Sequence, residues 1–305
     1  MNDQIISQCL EETKAFSDLE IPVITTSGEF LTPFFINTEN LLGDSNIQKV
    51  LEKHGDDSLA LINYATKRLD KYPPFGEVID RLCEKIKMFF PINYPSNKKA
   101  ISGGQRRDWL FSGPVSRKLN LAHISLYKNG KIEFLHPAGT NYSLSDNDLY
   151  TLHVSDLMTK GSSAFRIENG EEKGWIPMLR KRGSTIDNLF NVVTRLQGGE
   201  KVLLKQGINT YHSVAIDEEF LRAHSKQPEV VMAYLKNEIG WTINYLKENG
   251  ISVLVPYFNP ENKKLSRAKA FLSIYNNLLI INELMPKLEE AVKKNYNKSL
   301  VEIIN

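Results

Sequence analysis

The chain is poor in cysteine, with Cys9 and Cys83 the only two in 305 residues. Two thiols make no disulfide framework and match no metal-binding spacing, so reduced thiols are expected. Long apolar runs are missing as well. None approaches the roughly 20 residues that a membrane helix needs, so no membrane partner is expected. The opening stretch "MNDQIISQCLEETK" is polar and acidic and holds no signal-peptide core. A soluble, cytoplasmic protein is the expectation. An excess of one charge is lacking too: Lys plus Arg number 38 against 36 Asp plus Glu, a formal +2. With no basic stripe and no helix-turn-helix pattern, nucleic acid is not an expected partner. Internal repeats and low-complexity segments are absent.

What is present is an apolar share of 41%, ample for one large domain or a domain with an extension. Residues 21–44 are rich in β-formers, with a turn at Ser27-Gly28. Helical spacing follows in 45–70 and 75–90, where Val78, Ile79, Leu82 and Ile86 share a face. The middle of the chain alternates short apolar runs (Ala100–Ser102, Ala122–Tyr127, Tyr150–Val154, Leu189–Val193, Tyr211–Ile216) with amphipathic segments near 107–119, 161–182, 197–206 and 217–224. That alternation predicts βαβ units, hence an α/β fold with a mostly parallel sheet flanked by helices. The polar segment 129–148 reads as an active-site lid or, in its first half, as a short hairpin. Beyond Pro228 the pattern is helical. The expected division is an α/β domain over 1–228, with a small N-terminal hood at about 20–45, and a C-terminal helical extension over 229–305.

The stretch "YTLHVSDLMTKGSSAFR", Tyr150 to Arg166, carries the chemistry. A strand running into Thr159, Lys160, Gly161, Ser162 and Ser163 and then a helix offers successive backbone N–H groups, hydroxyls and a helix N-terminus, a cradle for a phosphate monoester. Asp156, just upstream, would face ribose hydroxyls or a magnesium ion. The plain alternative is a strand-to-helix turn with Ser and Thr caps.

The stretch resembles the phosphoribosyl-pyrophosphate (PRPP) signature of the type I phosphoribosyltransferases, an apolar strand with an acidic pair, two apolar residues and a Thr/Ser/Gly loop. The resemblance implies that 159–163 hold the 5-phosphate and that Asp156 matches the second acid. Ser155 stands where the first acid is usual. Three more segments resemble the orotate branch of that family. In "TTSGEFLTPFFIN" (25–37), Phe34 and Phe35 match the aromatic that lies against the pyrimidine; alternation along a strand puts one of the two in the core. In "AISGGQRRDWLFSGPVSRKLNLAHISLYKNGK" (100–131), Gly103-Gly104 would open a pyrophosphate loop by adopting conformations that other residues resist. There Arg106 or Arg107 would replace the usual lysine, since an Arg fork pairs bidentately with phosphate oxygens. Lys128, Lys131 and His136 would belong to the lid. In "NLFNVVTRLQGGEKVLLKQGI" (188–208), Arg195 matches the arginine that binds the orotate carboxylate, with Thr194 in place of the usual Asp. The resemblance covers roughly residues 20–220. It implies an enzyme of pyrimidine nucleotide biosynthesis that joins PRPP to orotate with Mg²⁺ as cofactor, through Asp156, Lys128 and Arg106, in a homodimer. Another base, or a catalytically silent PRPP-sensing module, remains open.

Overall fold

A computed structural model describes residues 2–25, 28–92, 95–137 and 149–304. In chain order the elements are α1 (Gln4–Glu12), β1 (Phe16–Ile24), β2 (Leu31–Ile36), α2 (Ile47–His54), α3 (Ser58–Lys71), α4 (Pro73–Lys87), β3 (Lys99–Gly104), α5 (Trp109–Lys118), β4 (Ala122–Leu126) and β5 (Ile132–Leu135). Then come β6 (Tyr150–Met158), β7 (Arg166–Glu168), β8 (Glu171–Lys173), α6 (Trp175–Lys181), β9 (Thr185–Thr194), α7 (Gly199–Leu204), β10 (Asn209–Ala215) and α8 (Glu218–His224). Helices α9 (Pro228–Lys236), α10 (Glu238–Asn249), α11 (Leu265–Ile281), α12 (Met285–Tyr296) and α13 (Leu300–Ile304) complete the chain. These elements form two compact units, 1–16 with 37–220 and 17–36 with 221–305.

The first unit is the expected α/β fold. Its six-stranded sheet has the order β10-β9-β6-β3-β4-β5 and is parallel except for the edge strand β5. Strands covered on both faces read as near-continuous apolar runs rather than alternating ones, and β6 is buried at seven of its nine positions, from Tyr150 on. Helix α5 packs on β3, β4 and β6, while α6 and α7 pack on β9 and β10. Helix α3 starts where Asp57 accepts the Ala60 N–H, 2.9 Å, a side-chain cap for an otherwise unpaired helix donor. Helix α4 opens on Pro73-Pro74, which lack a donor where none is needed. Its predicted apolar face is core: Val78, Ile79, Leu82 and Ile86 are fully buried.

Three sequence expectations change. Strand β6 runs on to Met158, so Ser155 and Asp156 lie within the strand and not at its end. The helix expected over 161–182 is one turn at 162–164, then the β7–β8 hairpin, and only then α6. Asn169 (φ 53°) and Gly170 (φ 79°) are left-handed and make the two-residue turn of that hairpin, an Asn-Gly pair whose twist suits antiparallel strands. In the segment expected as a lid, 132–135 is strand β5, the hairpin alternative, and 138–148 lie outside the described residues.

The second unit joins β1 and β2 to the C-terminal helices. Phe34 is fully buried there with its ring edge-on to Tyr234 at 6.0 Å. Tyr234 in turn meets Trp241 at 5.4 Å. Phe271 and Tyr275 stack at 4.3 Å, and the Tyr257 hydroxyl accepts the Ile24 N–H, 3.1 Å. At Gly28 (φ 79°) a Cβ would sit 2.5 Å from the Ala270 Cβ, so only glycine lets this turn approach α11. The hood expected at about 20–45 is therefore divided. Its first part, to Ile36, shares a core with α9–α11, and the rest belongs to the first unit.

Candidate functional site

In the first unit the chain passes from β3 to its neighbour β4 on one side, then returns to place β6 on the other side of β3. In open α/β sheets such a reversal leaves a crevice at the carboxyl ends of the strands, where ligands bind. The segments singled out in the sequence follow those ends: 105–107 after β3, Lys128 after β4, 159–163 after β6 and 195–199 after β9.

The loop after β3 is pinned on several sides. The Gln105 side chain donates to Gly55 O, 2.9 Å, and to Asp56, and accepts the Lys128 N–H, 2.9 Å. The Gln105–Arg106 peptide is cis. Arg106 is exposed, and its Nη1 donates to Leu51 O, 2.6 Å, at the carbonyl end of α2, where a cation complements the helix dipole. Arg107 lies 3.3 Å from the fully buried Glu39, whose other oxygen accepts from Gln48, 2.6 Å. Gly103 and Gly104 are needed for a reason other than the one expected. Both are buried strand residues and neither has positive φ. A Cβ on Gly103 would overlap the Ser112 hydroxyl, and one on Gly104 the Trp175 ring. Their smallness lets α5 and α6 close on the sheet; it does not turn amides outward. Lys128 is exposed. Lys131 pairs with Glu133 at 2.5 Å and lies over the Tyr127 ring. His136 is exposed beyond β5.

The loops after β6 and β9 pack back to back. Gly199 N–H donates to Thr159 O, 3.1 Å, and Arg195 N–H to Met158 O, 2.9 Å. A Cβ on Gly199 would lie 2.7 Å from both Met158 Sδ and Thr159 O. Gly161 is left-handed at φ 74° and faces Gly199. The 159–163 carbonyls are largely committed. Gly161 O accepts from Ala164 and Phe165, Ser163 O from Trp175, and Ser162 O from Arg166. The first two amides of α6, those of Trp175 and Ile176, are thus spent on Ser163 and Ala164 carbonyls, and the helix N-terminus expected to face a phosphate is closed. Thr159 is half-buried, and Lys160, Ser162 and Ser163 are exposed. The half-buried Ser155 donates to Leu157 O, 3.4 Å. Arg195 is half-buried beside them. Thr194, where an acid was usual, bonds Glu200 through its hydroxyl.

Beneath these loops lies a buried polar network that the sequence reading missed. Asp108 accepts Gly104 N–H on one carboxylate oxygen and Asp156 N–H on the other, 2.9 Å each. The Thr38 hydroxyl donates to Asp156, 2.6 Å. His153, fully buried, has Nε2 3.6 Å from Asp108 and Nδ1 3.0 Å from the Ser102 hydroxyl. His123 lies between the Ser112 and Ser125 hydroxyls, 2.8 and 3.1 Å. Burial pushes the Asp156 carboxyl up, as does the neighbouring Asp108 charge; Arg107 and Thr38 only partly offset them. Burial also opposes ionisation of Asp108, but His153 and the hydrogen bonds from Asp156 outweigh it and hold it below the usual range. His123 is driven down to about 3 by burial and by His153 and Arg117, so it stays neutral. Of this buried acid pair, Asp108 is thus favoured in its charged form and Asp156 in its protonated form.

This arrangement does not fit Asp156 as a direct magnesium ligand. Its carboxylate is buried, accepts the Thr38 hydroxyl and lies beside the Asp108 charge, and among the described residues no three His, Cys, Asp or Glu side chains cluster to hold a metal. Of the expected aromatic pair, Phe34 is closed off in the core of the second unit, as alternation requires of one partner, and Phe35 is half-buried.

No family model matches the chain, and no curated protein does. Among solved structures it is similar to UMP synthase of Leishmania donovani, with 17% identity and a TM-score of 0.49, over 76% of this chain. The chain spans 41% of that protein's length. It is also similar to orotate phosphoribosyltransferase from Aeropyrum pernix, with 17% identity, a TM-score of 0.41 and coverage of 72% and 98%. Adenine phosphoribosyltransferase from Trypanosoma brucei, with 9% identity, a TM-score of 0.42 and coverage of 74% and 83%, is a further neighbour.

Proposed function

We propose that the first unit binds PRPP and transfers its phosphoribosyl group to a base, with orotate the base favoured, releasing pyrophosphate. The observation that carries this reading is the convergence of two loops, 105–107 after β3 and 159–163 after β6, on the crevice between those strands, joined at their base by one carboxylate. A sugar with a phosphate at one end and a diphosphate at the other needs two anion sites at a fixed span. The 159–163 loop, whose carbonyls are largely spent on the protein, would offer hydroxyls and amides to the 5-phosphate. Arg106, Arg107, Lys128 and Lys131 would face the diphosphate.

Charge dictates the chemistry. The bond from the ribose C1 to the diphosphate oxygen breaks, and its electron pair leaves on pyrophosphate. A ring nitrogen of the base donates its pair to C1 and gives up its proton to solvent. Cations that tighten on the leaving oxygens lower the barrier, and holding both reactants in line removes much of the entropic cost. Magnesium would enter on the diphosphate as part of the substrate, held by its oxygens. Arg195, at the end of β9, would orient the base through its carboxylate by a two-pronged, charge-assisted contact. Only a carboxylated pyrimidine calls for it.

A second reading has its own support. With Ser155 in place of an acid and Asp156 bonded to Thr38, the ribose hydroxyls lose two carboxylates, which suits a module that binds PRPP without turning it over. Incubation with PRPP, Mg²⁺ and a panel of bases, following pyrophosphate release, separates the readings. Release with orotate supports the first, and release with another base moves the assignment within phosphoribosyl transfer. PRPP binding without release supports the second. No PRPP binding in calorimetry overturns both.

A further inference from the structure

Asp108 is the first residue of α5's approach, yet its side chain does not cap that helix. Its carboxylate turns back into the interior, buried to 8% exposure, and spans the crevice floor. One oxygen holds Gly104, the last residue before the 105–107 loop, and the other holds Asp156, three residues before the 159–163 loop. The surrounding residues are fitted to keep it there. Gly103 leaves room for Asp108, since a Cβ there would lie 3.3 Å from the Asp108 Cβ. The Trp109 indole N–H donates to Gly103 O, 2.9 Å, fixing the turn that carries the carboxylate. The buried His153 stands 3.6 Å away on β6. A carboxylate that accepts two backbone N–H groups from two different strands is a strong, charge-assisted tie. Its loss would leave buried donors unpaired.

We propose that Asp108 is a positioning residue that locks the loop after β3 to the loop after β6, so that the two anion sites move as one body and hold a bisphosphorylated sugar at a set span. The inference rests on the PRPP reading above for its ligand. It makes a distinct claim, namely that a ligand touching one loop alone does not need Asp108, whereas a ligand spanning both does.

The test is calorimetry of Asp108→Asn against the unaltered chain with three probes: PRPP, ribose 5-phosphate and inorganic pyrophosphate. The amide of Asn can accept one of the two N–H groups but presents a donor to the other, so one tie is lost with little change of shape. The expected result is a loss of about tenfold or more in PRPP affinity, with ribose 5-phosphate and pyrophosphate each within about twofold. Equal losses for all three would mean that Asp108 serves general stability, and unchanged PRPP affinity that the tie is idle; either overturns the proposal. Amide exchange on the unaltered chain needs no variant and decides the matter if Asp108→Asn does not fold. Ribose 5-phosphate should slow exchange at residues 104–107 as well as at 159–163, and protection confined to 159–163 overturns the coupling. A chain that binds none of the probes refutes the PRPP reading itself, an outcome distinct from either failure of the tie.

Discussion

At the residue scale, two side chains make opposite demands on pH. The Asp156 carboxyl is raised from 3.8 to about 8 in the folded chain. A raised carboxyl stabilises the fold in its protonated form, so its contribution is full below the ordinary carboxylate range and is lost as pH rises through about 8. His123, lowered to about 3, acts the other way. Its neutral burial favours the fold above pH 6.5 and costs stability progressively below it. Between pH 6.5 and 8 only the Asp156 slope remains of the two, at most about 1.4 kcal/mol per pH unit. Denaturant melts across that window should show stability falling, and Asp156→Asn should flatten the fall. A flat profile in the unaltered chain would show that Asp156 is ionised throughout. Arg195→Ala should weaken orotate binding by roughly 10–100-fold, the loss of a charge-assisted contact, and leave PRPP binding largely intact. Equal loss of both in calorimetry would contradict the role given to Arg195. Arg195 stands out in the sequence by its place at the end of an apolar run. Asp108 does not, and looks like an ordinary acid at a helix start because its two partners, Gly104 and Asp156, meet only through strand pairing.

At the scale of elements, periodicity was legible and insertion was not. The alternation of apolar runs and amphipathic segments located β3, β4, β6, β9 and β10 because β3, β4, β6 and most of β9 are buried, and the edge strand β10, exposed in its first half, ends in the buried run 213–215. The β7–β8 hairpin was absorbed into a predicted helix. Its strands are short, exposed and charged, so they carry no apolar period, and the one available signal was Asn169-Gly170. That exposure also makes it expendable. The chain returns close to its start across the hairpin, with Gly174 packed against Ala164 O. Replacing 166–173 by two glycines should therefore change unfolding free energy by no more than about 0.5 kcal/mol, the usual range for surface changes. A larger loss would mean that the hairpin supports α6. By contrast, Gly104→Ala places a methyl in the Trp175 ring and should cost about 1–3 kcal/mol, read as a lower denaturant midpoint with unchanged slope.

At the scale of the molecule, the division fell where sequence order could not show it. The helical character beyond Pro228 was plain, but the partner of those helices is β1 and β2, near the other end of the chain. Core contacts such as that of Phe34 with Tyr234 reveal it. The three tryptophans divide between the units, Trp109 and Trp175 in the first and Trp241 in the second. Phe271→Ala, which empties a fully buried site stacked on Tyr275, should cost about 3–5 kcal/mol. In a variant that keeps Trp241 as its sole tryptophan, the fluorescence midpoint should fall accordingly. An unmoved midpoint would show that the Phe271 core does not support the surroundings of Trp241. The second unit's split origin has a further consequence for biosynthesis. Phe34 leaves the ribosome roughly 190 residues ahead of α9, a wait of about 10–40 s at ordinary elongation rates. During that interval its oily surface has no native cover, which makes the nascent β1–β2 segment a natural client for a chaperone.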